Sequence, residues 1–519
     1  MVTYNTSQRR QSKFGRYSSL LGVIKRALTE LTLLQTYVLL FNPSEKKMEF
    51  QFCGAAGNVT GSKHYVLCNS YQFLVDCGLV QERGKSFQNW EPVIENPNKL
   101  NAVFLTHAHL DHCGLLPKLV ADGFHGKIYG TPATLELARI IMLDSAHIQE
   151  EDALFKQKRH AKEGRVSPHP VRPLYRVAEV ETTVKYFQPI PYSKRTQVAP
   201  GVEVVFHEAG HILGSAFIEF IISKPQIDEE KPRRIIFSGD LGRANRPILR
   251  DPEFYEEDVE VSNLFIESTY GNRISEPIST VDDQLAEVIN RTVERGGKVI
   301  MPVFAVERAQ EMIARFAKLI LERRISGATP IFLDSPMAVE ATRIFSKSHD
   351  SFDKQTLELA EHGPEALKSL RLLKTAEESK QLNKMAGPAI IMSSAGMCNA
   401  GRIKHHLANH IGNPKNSVVF LGYQAQGTLG RLILTGTSPV RILGQMYAVR
   451  AEIVLIRGIS GHADQSELLA WYSAIPNHPK TTFVVHGEPA ASNALAEKIR
   501  DIAPETNVFV PEYKEIYVD

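Results

Sequence analysis

Thr106-His107-Ala108-His109-Leu110-Asp111-His112 follows directly on the apolar run Ala102-Val103-Phe104-Leu105. Three imidazoles and a carboxylate fall within positions 107–112. These are the donor types that suit zinc at a catalytic site. Burying so many ionisable groups unpaired is expensive, so a packed core has no use for them. The stretch reads as a buried strand that ends in a metal-binding cluster.

Four more places supply ligand-competent side chains. Asp76 ends the strand-like Phe73-Leu74-Val75, His211 lies in Ala209-Gly210-His211-Ile212-Leu213-Gly214, Asp240 follows Ile235–Ser238, and His486 follows Thr482–Val485. Glycines beside them let the backbone turn tightly around an ion. Strand ends recurring beside donors predict a site assembled at one sheet edge.

At 519 residues the chain is long for a single domain. Its hydrophobic content of 43% and charged content of 23% are ordinary globular values. Charge is unevenly placed: residues 1–47 carry a net +6, which leaves the remainder near −4. Contact with a polyanion in the folded part must therefore rest on local patches and metal rather than on the global field. Five cysteines without a C-x-x-C pair argue against a disulfide framework and for a reducing cytoplasm. No apolar run approaches the roughly 20 residues that span a bilayer, so no membrane partner is expected. The basic segment 1–47 is expected to be a disordered extension, with Met48 as a candidate start of synthesis.

From Met48 the pattern is β-rich: Glu49–Cys53, His64–Cys68, Gln72–Val75, Ala102–Thr106, Val202–Phe206, Phe217–Ser223, Arg234–Ser238 and Leu264–Glu267 read as strands, with helices at 114–121 and 134–163. After residue 271 helix and strand alternate at α/β spacing. Strands are expected at 298–303, 330–333, 388–393 and 417–421, with a charged helical stretch running to about 386. From 452 the first texture resumes. This predicts a domain in two parts, 48–270 and 452–519, interrupted by an insert at 271–451.

The set Asp76, His107-Ala108-His109-Leu110-Asp111-His112, His211 and Asp240 resembles the signature motifs of the metallo-β-lactamase superfamily. Ile266-Glu267-Ser268-Thr269, Ser460-Gly461-His462-Ala463 and Val485-His486-Gly487 resemble the motifs of its β-CASP subgroup of nucleic-acid-processing enzymes. The likeness covers 48–519 and is nearest to the bacterial and archaeal branch related to the pre-mRNA 3′-end endonuclease. It implies an α/β fold, an αββα sandwich with an inserted parallel-sheet α/β domain. It implies two zinc ions per chain, one on His107, His109, His211 and Asp240, the other on Asp111, His112, Asp240 and His486, with Asp240 bridging. Asp76 would orient a ligand imidazole or the attacking water. Two ions a few ångströms apart can hold a hydroxide between them and neutralise a phosphodiester. The ribose 3′-oxygen is a poor leaving group unless protonated. His462 is expected to be the acid, with Glu267 holding its other nitrogen and keeping it charged.

The resemblance implies a ribonuclease that leaves 5′-phosphate and 3′-hydroxyl ends, acting on single-stranded RNA; a homodimer is also expected. His486 favours RNA, because the DNA-repair branch tends to carry an aliphatic residue there. Strand-to-helix turns in the insert suit phosphate, since free N–H groups at helix starts attract anions. They supply Ser335, Ser394, Gly396, Gln424 and Thr428, with Arg308, Arg402 and Arg431 nearby, as an expected phosphate track. The basic stretch 156–165 and the pair His405 and His406 read as helix surface, and Cys113 as packing. Competing readings are a thioester or lactone hydrolase, disfavoured by so large an insert, and a non-catalytic RNA-binding scaffold, disfavoured by the intact ligand set.

Overall fold

The computed structural model describes residues 48–82, 84–164, 166, 171–223 and 231–519. The extension 1–47 and Arg165 of the basic stretch lie outside the described residues. Two seven-stranded sheets stack face to face. The first runs in the order Ile516–Val518, Glu49–Gly54, Lys63–Cys68, Tyr71–Val75, Ala102–Phe104, Lys127–Gly130, Phe187–Pro189. The second runs Asn507–Phe509, Thr481–Val485, Asn263–Glu267, Arg233–Phe237, Ala216–Ile222, Val202–Glu208, Thr196–Ala199.

Strand alternation builds the layers. Side chains along a strand point to opposite faces, so a strand covered on both sides must be apolar throughout. Phe73 and Phe104 turn inward and meet Phe220, with ring centroids 4.7 and 4.8 Å away. Phe50 and Phe52 meet Phe265 and Phe483 in the same layer. Leu74 and Val103 turn outward and pack with Leu116, Leu119, Leu135 and Met142 of the helices Leu116–Ala121 and Pro132–Glu163. On the other side Ile236, Leu264, Ile266 and Val484 pack with Leu468, Trp471 and Leu495 of Gln465–Ser473 and Pro489–Ile502. Each fully buried phenylalanine contributes roughly 1.5–3 kcal/mol. This is the expected αββα sandwich.

A third sheet, six-stranded and all parallel, runs Leu370–Leu373, Ile331–Asp334, Ala389–Ser393, Lys298–Pro302, Ser417–Leu421, Glu452–Ile456. It too is apolar on both faces: Val299 and Met301 join one cluster, Ile300 the other. Residues 49–518 form one compact unit. The five cysteines are free and buried. No helix among the described residues is long and apolar enough to cross a membrane.

Three expectations are corrected. The strand Glu452–Ile456 does not rejoin the sandwich; it pairs with Ser417–Leu421 as an edge of the third sheet. The charged stretch expected to be helical to 386 contains the strand Leu370–Leu373. As an edge strand with exposed Arg371 and Leu372 it lacks the apolar run that marks its neighbours. The strand before the cluster ends at Phe104, not Thr106.

Candidate metal centre

The expected donors and Asp76 lie in segments that follow sandwich strands, and Glu267, the expected partner of His462, is the last residue of one. Tyr71–Val75 delivers Asp76 and its parallel neighbour Ala102–Phe104 delivers the 107–112 cluster. Val202–Glu208 leads to His211. Three parallel strands, Arg233–Phe237, Asn263–Glu267 and Thr481–Val485, deliver Asp240, Glu267 and His486. Parallel pairing puts these ends at one edge.

The turns there are forced. Asp76 and His486 take left-handed backbone, with φ of 62° and 52°. Asp76 N–H donates to the Phe104 carbonyl at 2.9 Å and His486 N–H to the Ala55 carbonyl at 2.7 Å. A Cβ on Gly78 would sit 1.5 Å from the Asp111 carbonyl oxygen, so only glycine lets the Asp76 and Asp111 loops touch.

The donors form two groups that meet at Asp240. His107, His109, His211 and Asp240 make one; Asp111, His112 and His486 make the other. Asp240 Oδ2 lies 3.4 Å from His107 Nε2 and 3.5 Å from His211 Nε2. Its Oδ1 lies 3.4 Å from both His112 Nε2 and His486 Nδ1. His109 Nδ1 is 3.0 Å from His107 Nε2 and 3.1 Å from His211 Nε2, and His112 Nε2 is 3.0 Å from His486 Nε2. A tetrahedron with zinc–nitrogen bonds of about 2.0–2.1 Å has edges of about 3.3 Å. Nitrogens this close, on rings converging from separate loops, match that edge.

The surroundings fix ring orientation. Asp76 Oδ2 lies 2.7 Å from His112 Nδ1, which leaves Nε2 to face the group. Thr106, whose role the sequence did not reveal, donates its N–H to Asp76 Oδ1 at 2.9 Å and its hydroxyl to Oδ2 at 2.9 Å. The Gly461 carbonyl accepts from His211 Nδ1 at 3.0 Å. Such outer contacts set which nitrogen is free to ligate.

The electrostatics suit a cation. Asp240 is 3% exposed, its Oδ1 accepts no hydrogen bond, and burial pushes its carboxyl up. Burial and then neighbouring imidazoles hold His107 and His211 well down, so both are neutral, the form that binds metal. Burial also pushes His112 down, but Asp240 and Asp76 outweigh it and hold the ring up at about 10. Its proton stands where positive charge is wanted, and a divalent ion would take that place. The donor set fits.

Beside this centre, His462 Nδ1 lies 3.2 Å from both oxygens of Glu267. Glu267 Oε1 also accepts from the Leu241 amide at 2.7 Å. Burial disfavours the charge on His462, but Glu267 and Asp240 win and hold it up at about 9. Glu267, pushed up by burial, is brought below the usual carboxylate range by His462. The Tyr270 ring edges the imidazole, 5.9 Å between centroids.

The expected phosphate track is mixed. Ser335 caps the helix Pro336–Phe345 and meets the Ser394 hydroxyl at 2.7 Å. Gly396 lies against the Phe304 ring, and its carbonyl accepts from Gln424 at 3.3 Å. Thr428 caps Leu429–Leu434. Arg431 is half-buried. Arg308 is a correction: its guanidinium is buried, pairs with Glu311, and donates to the Ile459 carbonyl at 2.7 Å. Arg402 pairs with Asp334 at 2.6 Å. His406, expected on a helix surface, is fully buried, 2.7 Å from Asp334.

Comparison with known proteins agrees with this geometry. Residues 66–231 match a metallo-beta-lactamase superfamily domain, 309–433 a Beta-Casp domain, and 446–511 a Zn-dependent metallo-hydrolase RNA specificity domain. Ribonuclease TTHA0252 of Thermus thermophilus is 34% identical over 447 residues, covering 86% of this chain and 94% of that one. Transcription termination factor FttA of Methanosarcina mazei is 30% identical over 82% of this chain and 65% of its own length. A crystal structure of an Enterococcus faecalis protein of unknown function superposes with a TM-score of 0.52 at 14% identity, over 91% of this chain and 100% of that one, and shares the fold. Fold and donor set together define a metal-dependent hydrolase. The chain belongs to the β-CASP ribonucleases of the metallo-β-lactamase superfamily.

Proposed function

We propose that this hydrolase binds two zinc ions and cuts single-stranded RNA to leave 5′-phosphate and 3′-hydroxyl ends. The observation that carries the reading is Asp240, whose two oxygens face two separate donor groups, with the His462–Glu267 pair alongside. His107, His109, His211 and Asp240 would hold one ion; Asp111, His112, Asp240 and His486 the other. Bound there, such ions acidify water and neutralise phosphate oxygens.

The chain's own groups do the rest. Asp76 orients His112. His462 carries a proton on the ring nitrogen that faces away from Glu267 and delivers it to the departing 3′-oxygen. Glu267 keeps that proton in place at neutral pH. Ser335, Ser394, Gly396, Gln424, Thr428 and Arg431 line the strand-to-helix turns of the insert, where helix-start N–H groups favour phosphate. The match to an RNA specificity domain over 446–511 supports RNA over a thioester or lactone. On this reading the sandwich comprises 48–270 plus the chain beyond the strand Glu452–Ile456, with the insert between, and the protein works as a cytoplasmic homodimer.

RNA labelled at either end tests this. Wild-type protein is expected to release products with 5′-phosphates. His462→Ala is expected to retain two zinc per chain and RNA binding while turnover falls at least about 100-fold. Loss of metal from that variant would move His462 into the ligand set and overturn its assignment as the acid.

A further inference from the structure

The backbone that leads to His462 is held in an unusual way. Gly458 to Gly461 link the last strand of the third sheet to His462, and three carbonyls in this run accept from three different buried arginines. Arg243 Nη1 donates to the Gly458 carbonyl at 3.2 Å, Arg308 Nη2 to Ile459 at 2.7 Å, and Arg246 Nη1 to Gly461 at 3.4 Å. All three arginines are under 9% exposed. Arg246 Nη1 also donates to the His211 carbonyl at 2.9 Å. One guanidinium thus bridges the loop bearing a metal donor and the loop bearing the imidazole.

The arginines come from two bodies. Arg243 and Arg246 follow Asp240 in the sandwich; Arg308 opens the insert helix Arg308–Leu321. The bodies are stitched by buried carboxylates of that same region. Arg246 Nη2 lies 3.4 Å from both Glu307 and Glu311, Glu311 pairs with Arg308, and Arg315 donates to it at 3.0 Å. Arg243 extends the hold downstream, pairing at 3.1 Å with Glu467 of the helix after His462.

Burying three guanidinium groups with their carboxylates returns little net stability, because desolvation offsets the attraction. A neutral donor would satisfy a carbonyl at less cost. What the arrangement fixes is position: each carbonyl is tied to a planar, pre-organised fork. We propose that Arg308, with Arg243 and Arg246, is a positioning residue for His462, so that protonation of the leaving oxygen depends on the insert being seated against the sandwich. This rests on the reading of His462 as the acid.

A pair of substrates separates this role from a merely structural one. RNA needs its leaving oxygen protonated; bis(p-nitrophenyl) phosphate, whose nitrophenolate leaves unaided, does not. Arg308→Gln is expected to lower RNA turnover about 100-fold with KM within about twofold, while hydrolysis of the nitrophenyl ester stays within about threefold. Arg308→Lys, which keeps the charge but reaches only one of the two acceptors, is expected to lose about tenfold on RNA alone, and it carries the test should the glutamine variant fail to fold. Metal content is measured throughout. His462→Ala is the benchmark and should show the same split. Equal loss on both substrates in His462→Ala removes the acid assignment and this inference with it. A split in His462→Ala but parallel loss, or no loss, in both Arg308 variants overturns the inference alone.

Discussion

Glu267 divides its carboxylate between the Leu241 amide and the His462 ring, and together with Asp240 it holds the charge on His462 against burial. The raised value of about 9 means the imidazolium is present below that pH and is lost as pH rises through it. Glu267→Gln removes the attraction, so the alkaline fall in turnover should begin about one unit lower or more, read from a rate-against-pH profile. An unmoved alkaline limb would mean that another group sets it. At this scale the donors are legible in the sequence because chemistry crowds them: neither a packed core nor an ordinary turn has a use for three histidines and an aspartate within 107–112. Arg308 is not legible in this way. An arginine at a strand-to-helix turn reads alike whether it faces phosphate or a buried carboxylate, and only Glu311 and the Ile459 carbonyl decide it. His406 misleads for the same reason, since its partner Asp334 lies far away in sequence. Thr106 immediately precedes the first donor, yet its bond to Asp76 depends on two strands being neighbours.

The elements matter through how closely their ends approach. Gly78 lets the turn after Tyr71–Val75 lie on the Asp111 backbone, where an added Cβ would fall 1.5 Å from a carbonyl oxygen. Gly78→Ala must therefore push the two loops apart, at a cost of about 1–3 kcal/mol or more. It should lower Tm by several degrees and leave fewer than two metals per chain, checked by calorimetry and elemental analysis. A variant with wild-type Tm and full metal content would show that the loops are not packed as described. The strands that precede the donors are readable because each carries a short apolar run, such as Phe73–Val75, Ala102–Phe104, Ile235–Phe237 and Phe483–Val485. Short edge strands such as Phe187–Pro189 and Ile516–Val518 carry little of that signal. Glu452–Ile456 reads as a strand from its own residues, but its layer does not, because pairing partners are not written there.

Across the whole molecule, donors up to 379 positions apart in sequence, from His107 to His486, are gathered where the two stacked sheets end. The third sheet's last strand leads toward His462, and the insert adds Arg308 to the two sandwich arginines that hold this run. On the proposed function these donors hold two metal ions without which the chain does no chemistry. Metal content and RNA cleavage measured on the same samples, before and after chelation and after zinc is restored, test it most directly. About two zinc per chain, cleavage lost on stripping and regained on reloading, and neither restored in Asp111→Asn are the expected results. Undiminished RNA cleavage by protein shown to be free of metal would contradict the account.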